Sequence, residues 1–268
     1  MNTTEHIRQK TIEDFGDQWD HFTKSTGVYG ESSFLQDLFG PLLSTDELAG
    51  KDVVDIGSGT GRICEMLLRN NAAHVYAVEP SEKAFKVLRE NLKSYPNVTL
   101  CNVRGDGIPS DISADMVVSL GVIHHIKNPS STLKSAFDLL RDGGRCVIWV
   151  YGREGNTLYL ALFRTLHVFT RRLSHKSLLR FCRLLKKALN GYLFLCKFLP
   201  VPMRSYFNNV IRKWDEEVKL LTIYDQLNPE YARYYRGPEI KSELEDAGFQ
   251  NVRTYHRHGY SWTVVGEK

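Results

Sequence analysis

Gly57, Gly59 and Gly61 stand at alternate positions, directly after the short apolar run Asp52–Ile56 and directly before a helix-patterned stretch, 62–70. Glycines at a strand-to-helix turn let the backbone approach a ligand closely. The helix start behind them offers unpaired N–H groups and a positive dipole end. Such a turn suits a nucleotide-like ligand. The spacing departs both from the dinucleotide fingerprint G-x-G-x-x-G and from the P-loop G-x-x-x-x-G-K-[ST], so ATP hydrolysis is disfavoured. Other groups able to do chemistry fall after later apolar runs. Glu79 ends the second run, Asp106 follows the third, His124 and His125 follow the fourth, and Arg153 and Glu154 follow the fifth. Farther along, Asp225 sits between Tyr224 and Gln226. Open α/β folds bind ligands at the carboxyl ends of their strands, which is the edge these residues share.

The elements that must hold them alternate. Strands are expected at 52–56, 74–78, 98–103, 115–120 and 145–150, with helices at 62–70, 81–94 and 129–140. Pro80-Ser81 is a helix start signal, and Asp142-Gly143-Gly144 is a turn. This alternation predicts a doubly wound α/β sheet. The stretch 157–213 breaks it with long, basic, Leu- and Phe-rich helical patterning. A helix at 237–247 and strands at 252–256 and 261–265 then resume the sheet. The expected division is a helical cap over 1–45, a core over 46–156, a basic helical insertion or lid over 157–222, and completion of the core over 223–268.

The chain has 268 residues, 42% hydrophobic and 25% charged, with net charge +4. That is globular composition, unlike a disordered, collagen-like or polytopic membrane chain. The charge is segregated. Residues 153–213 carry 13 Lys and Arg against one acid, Glu154, while the remainder holds 22 basic and 30 acidic residues. The five cysteines (64, 101, 146, 182 and 196) are odd in number and widely spaced, which argues for buried thiols rather than disulfides or zinc ligands. Met1 to Asp20 has no apolar signal-peptide core, and the apolar run 188–202 is short of a bilayer span. A cytoplasmic protein is expected.

Taken in order, these runs resemble the class I S-adenosylmethionine (SAM)-dependent methyltransferases. Val53 to Gly61, including Asp55 and Ser58, is similar to the first motif of that family. Glu79-Pro80 matches the acidic position that holds both ribose hydroxyls, and Asp106-Gly107 the one whose carboxylate takes the adenine amino group. Asp115 to His125 resembles the fourth motif, whose strand end at Leu120-Gly121 lines the methionine part. Phe15-Gly16-Asp17-Gln18-Trp19, Trp149 to Asn156, Tyr224 to Pro229, Tyr234-Tyr235 and Gly259 to Trp262 resemble a bacterial subgroup that tailors glycans or small molecules. The resemblance implies a Rossmann-like, mostly parallel sheet with a C-terminal antiparallel hairpin. It also implies SAM as cofactor and S-adenosylhomocysteine as product.

Methyl transfer at a sulfonium carbon is in-line displacement, helped by positioning and exclusion of water, and needs no metal. A hydroxyl acceptor usually needs a base. His124 is the leading candidate and Asp225 the second, with His125, Arg153, Tyr224 and Tyr235 expected to touch the acceptor. Gln18 and Trp19 are expected to close over the cofactor. Most have a blander reading: the histidines as cap or pocket lining, Asp225 as a helix cap or salt bridge, Arg153 as an internal ion pair with Glu154 or Asp225, and Gln18 and Trp19 as docking of an N-terminal helix. The amphipathic stretch with Arg171-Arg172, Lys176, Arg180, Arg183 and Lys186-Lys187 reads as a lid helix with a solvated face, as a site for a phosphorylated, nucleotide-linked or lipid-linked acceptor, or as a peripheral contact to anionic membrane. RNA is disfavoured, for no RNA-binding signature occurs. The expected activity is methyl transfer to oxygen of a small-molecule or glycan-type acceptor. The alternatives are transfer to nitrogen or carbon of a quinone-like or lipid-linked acceptor, or a non-catalytic SAM-binding regulator. Oligomeric state is left open.

Overall fold

A computed structural model describes residues 3–22, 32–156, 160, 166, 168–170, 173–202 and 204–268. Arg171 and Arg172 of the expected basic face lie outside these. In chain order the elements are α1 (Thr3–His21), α2 (Ser32–Phe39), β1 (Asp52–Ile56), α3 (Arg62–Arg69), β2 (His74–Val78), α4 (Glu82–Leu92), β3 (Val98–Cys101), β4 (Ala114–Leu120), α5 (Ser130–Leu139) and β5 (Leu140–Tyr151). Then follow α6 (His175–Phe198), α7 (Arg204–Asn209), α8 (Glu216–Leu227), α9 (Gly237–Asp246), β6 (Gln250–Arg257) and β7 (Ser261–Glu267).

The seven strands form one sheet in the order β3-β2-β1-β4-β5-β7-β6. All pairings are parallel except those of β7, which runs antiparallel to both β5 and β6. This is the doubly wound sheet with a C-terminal hairpin that the alternation predicts. Side chains of a strand alternate between faces. Val53, Val75, Met116, Val118 and Val147 accordingly join the core under α2, α3 and α4, while Val54, Val78, Val117, Ile148 and Val264 join the core under α5 and α9. The order of strands reverses between β1 and β4, which opens a crevice at their carboxyl ends. The third strand stops two residues earlier than expected. Pairing with β2 ends at Cys101, and the Asn102 side chain donates instead to the Glu79 carbonyl (2.8 Å).

The described residues of the insertion after β5 are largely helical. Leu178, Leu179 and Cys182 of α6 pack on Ile223, Tyr224 and Leu227 of α8, which runs across residue 222. No described helix is long and apolar enough to cross a membrane.

Candidate active site

A cavity of about 1230 Å³ opens at the carboxyl edge of β1, β2, β4 and β5. Its floor is the glycine turn. Gly57 has φ +83°, and a Cβ there would fall onto the Val122 side chain. Gly57→Ala is therefore expected to cost more than about 1 kcal/mol, through both backbone strain and collision. The loss would show as a lower denaturation midpoint. Adding Val122→Ala should recover the steric part and leave the backbone part; full recovery would refute the strain argument.

Glu79 lines the cavity and is 5% exposed. Its Oε2 accepts from the Gly59 N–H (2.9 Å) and its Oε1 from the Ser81 N–H (2.8 Å). Each oxygen keeps a lone pair, enough for two adjacent hydroxyls. Burial pushes its pKa up to about 7, against the pull of those two N–H groups. Asp55 lies beneath the turn rather than on the cavity wall. It accepts from Cys64 Sγ (3.1 Å), and burial raises its pKa to about 6. Gly61 packs against Leu88 and Leu92 of α4, and Gly107 is likewise off the wall. Ser58, Gly59, Pro80, Asp106, Leu120 and Gly121 line the cavity.

α1 covers this floor. Arg8, Thr11, Ile12, Phe15 and Trp19, at helical spacing, all face the cavity. The Trp19 indole lies against Gly59, with Nε1 3.2 Å from where a Cβ would stand. Ion pairs fasten the helix: Arg8 to Asp106 (3.2 Å), Glu5 to Arg104 (2.7 Å), and Asp17 to Lys83. Asp106 is thus held by Arg8, by Arg104 (3.1 Å) and by Ser131 Oγ (3.3 Å).

The two histidines share a short 3-10 turn, Ile123–His125, yet differ in surroundings. His124 is 0% exposed and off the cavity wall, with neither ring nitrogen hydrogen-bonded among the described residues. Burial drives its pKa well below 6.5, so it is neutral. Its ring lies 3.9 Å from that of Tyr151. His125 lines the cavity. Its Nδ1 meets the Tyr231 carbonyl at 2.9 Å. A carbonyl can only accept, so Nδ1 carries the proton and Nε2 keeps the lone pair. Nε2 has no partner among the described residues. Burial lowers the His125 pKa, partly offset by the Asp225 charge and the Tyr231 carbonyl.

Asp225 also lines the cavity. It accepts from Gln18 Nε2 (3.0 Å) and from the Tyr151 hydroxyl. Gln18 therefore reaches Asp225 and is not on the cavity wall. The other expected acceptor contacts lie elsewhere. Tyr224 is buried, donates to Asn228 Oδ1 (2.9 Å) and touches His175. Tyr235 is buried, donates to Glu243 (3.1 Å) and carries the Arg233 guanidinium 4.2 Å above its ring. Arg153 is exposed, and its N–H donates to the Tyr235 carbonyl (2.8 Å).

Residues 31–254 match a family described as a methyltransferase domain. The chain belongs to that family. It is 30% identical over 119 residues to the demethylmenaquinone methyltransferase of Tropheryma whipplei, a match covering 43% of this chain and 49% of that protein. It is 29% identical over 112 residues to the tRNA U34 carboxymethyltransferase of Saccharophagus degradans, covering 40% and 34%. The chain thus matches a third to a half of the length of these relatives. A magnesium protoporphyrin IX methyltransferase from Synechocystis, solved with bound S-adenosylhomocysteine, superposes with a TM-score of 0.56 over 99% of both chains, at 16% identity. That likeness shows the fold.

SAM is the cofactor that a methyltransferase domain of this kind implies. When bound it supplies an activated methyl on a sulfonium centre. The cavity suits it: a buried carboxylate with spare lone pairs, a glycine turn open to close approach, and an indole above. Among the cavity residues that carried no sequence signal as site residues are Asp37 and Arg257, while His258, near the last hairpin, reads from sequence as structural or exposed. Arg257 donates to the Asp37 carbonyl (3.0 Å) and carboxylate and to the Tyr260 hydroxyl (3.1 Å), and His258 meets Asp37 at 2.8 Å. Tyr151 falls within the run Trp149 to Asn156, where nothing local sets it apart. Its place at the end of β5, on the ligand edge, was the available clue.

Proposed function

We propose that this methyltransferase transfers the methyl group of SAM to a hydroxyl oxygen of a small acceptor with an apolar or aromatic body, and that His125 takes the hydroxyl proton. The observation that carries this is the His125 ring, which lines the cavity as the Nδ1–H tautomer and whose Nε2, itself buried, has no partner among the described residues. His125, rather than His124, is the base on this reading. Asp225 favours the imidazolium that results, and is itself held by Gln18 and Tyr151. Trp19 and Phe15 exclude water from the floor.

The acceptor class follows from the walls. The insertion contributes Leu185, Leu189, Phe207, Ile211 and Trp214, and α8 adds Ile223. Six Lys and Arg line the wall; Arg8, Arg104, Lys219 and Arg257 are each paired with a carboxylate of this chain, while Arg62 sits by the glycine turn and Lys213 is exposed at the insertion. These walls suit an uncharged ring or chain better than a sugar or phosphate. A quinone-like acceptor methylated at carbon is the second reading, favoured by the name of the Tropheryma relative.

The test is conversion of SAM to S-adenosylhomocysteine in the presence of alkylated catechols and hydroquinones, with nucleotide sugars in parallel. Mass spectrometry then locates the methyl. Turnover of the phenols to methyl ethers is expected. Methyl on carbon would move the assignment to the second reading, and turnover of sugars alone would refute the acceptor class.

A further inference from the structure

All eight large apolar side chains that are exposed among the described residues fall between 168 and 199. Chance scatter would spread them over the surface. Phe194 and Phe198, 59% and 69% exposed, are in edge contact on α6, with ring centroids 5.3 Å apart. They end a stripe along that helix. Lys176, Arg180, Arg183, Lys187, Gly191, Phe194 and Phe198 follow one another at steps of three or four residues and are all exposed. One helical face is therefore cationic over its first half and aromatic over its second. Leu184, Leu195 and Leu199 add apolar surface beside it.

Two features separate this face from a solvated lid. α6 contains no Asp or Glu, and among the described residues only Lys186 of its cations pairs with a carboxylate, Glu216 (3.0 Å). The cations of the stripe are thus unneutralised beside exposed phenyl rings. The other side of the helix is spoken for. Leu178, Leu179 and Cys182 pack on α8, and Leu185 and Leu189 line the cavity.

We propose that the outer face of α6 docks on an anionic lipid bilayer, its phenylalanines entering the interface and its Lys and Arg lying at the headgroups. Phe and Leu beside Lys and Arg on one helix is the pattern of an interfacial helix, and each cation adds attraction to an anionic surface. The assignment rests on the surface alone and is independent of the acceptor chemistry.

The experiment is co-sedimentation of the full chain with vesicles of phosphatidylcholine containing about 30% phosphatidylglycerol, and with pure phosphatidylcholine vesicles, at low and high salt. Binding to the anionic vesicles is expected, at least about ten-fold tighter than to the neutral ones, and weakened by salt. Arg180→Gln/Arg183→Gln/Lys187→Gln should remove about a hundred-fold at low salt. Phe194→Ser/Phe198→Ser should remove binding at both salt concentrations. All five side chains are exposed and off the cavity wall, so SAM affinity and thermal midpoint should not move, which reports folding separately. Equal binding to both vesicle types, or none, would overturn the proposal. So would a dimer in sedimentation equilibrium that the Phe194/Phe198 variant turns to monomer without vesicle binding in either form, since the patch would then be covered by a second copy.

Discussion

Glu79→Gln is expected to weaken SAM binding by about 1–3 kcal/mol, roughly 5- to 150-fold in Kd. The carboxylate can accept from both ribose hydroxyls while keeping the Gly59 and Ser81 N–H groups; an amide offers one oxygen. A pH signature goes with this. In the free protein burial holds the Glu79 pKa near 7, above its ordinary 4.5. Hydroxyl donors favour the ionised form, so binding below that pH requires loss of a proton. Affinity should rise with pH up to about 7 and level off above it, approaching a slope of about one log unit per pH unit on the acid side. The stability sign is opposite. A carboxyl whose folded pKa is raised costs nothing below about 4.5, and its cost grows until about 7. The thermal shift on adding SAM should thus be larger at pH 8 than at pH 6. Calorimetry across pH checks both, and a Glu79→Gln variant with wild-type affinity and slope would refute the assignment.

His125→Asn should lower kcat by about 10²–10⁴ while leaving SAM affinity within a few-fold. The asparagine amide can still donate to the Tyr231 carbonyl, so the turn is preserved and only the lone pair at Nε2 is lost. With SAM saturating, wild-type kcat should fall at acid pH through a group below 6.5, because burial lowers the His125 pKa and only the neutral ring is a base. His124→Leu is the contrast. It removes two buried ring nitrogens that lack partners and keeps the packing volume. Stability should be unchanged or higher, and activity should hold within a few-fold. Loss of turnover in the Leu variant with retention in the Asn variant would reverse the roles.

Much of the frame is legible in the sequence. All seven expected strands reappear, six with boundaries within a few residues. The exception is β5, which starts at Leu140, five residues early, and runs through the turn expected at 142–144, with its register against β4 shifted there. Gly57, Glu79 and Leu120 fall on one edge because β1, β2 and β4 are parallel neighbours. What the chain order hides is contact across long separations. Gln18 and Asp225 are 207 residues apart and bonded, and Arg257 meets Asp37 across 220. No local pattern announces either. Adjacent histidines in one tight turn likewise cannot share an environment, and spacing does not say which of them faces the cavity. Tyr224 and Tyr235 sit beside site residues in sequence, but α8 and the loop before α9 turn both rings into packed interior.

α1 lies over the cavity floor with Arg8, Phe15 and Trp19 facing it, so escape of a spent nucleoside from that floor is expected to depend on how firmly this helix is held. Two of its ties, Glu5–Arg104 and Asp17–Lys83, are about half exposed, and pairs of that kind contribute about 1 kcal/mol or less. Such ties are screened by salt. Dissociation of S-adenosylhomocysteine should therefore quicken as ionic strength rises. Under conditions where release limits turnover, added salt would speed the enzyme until it weakens cofactor capture.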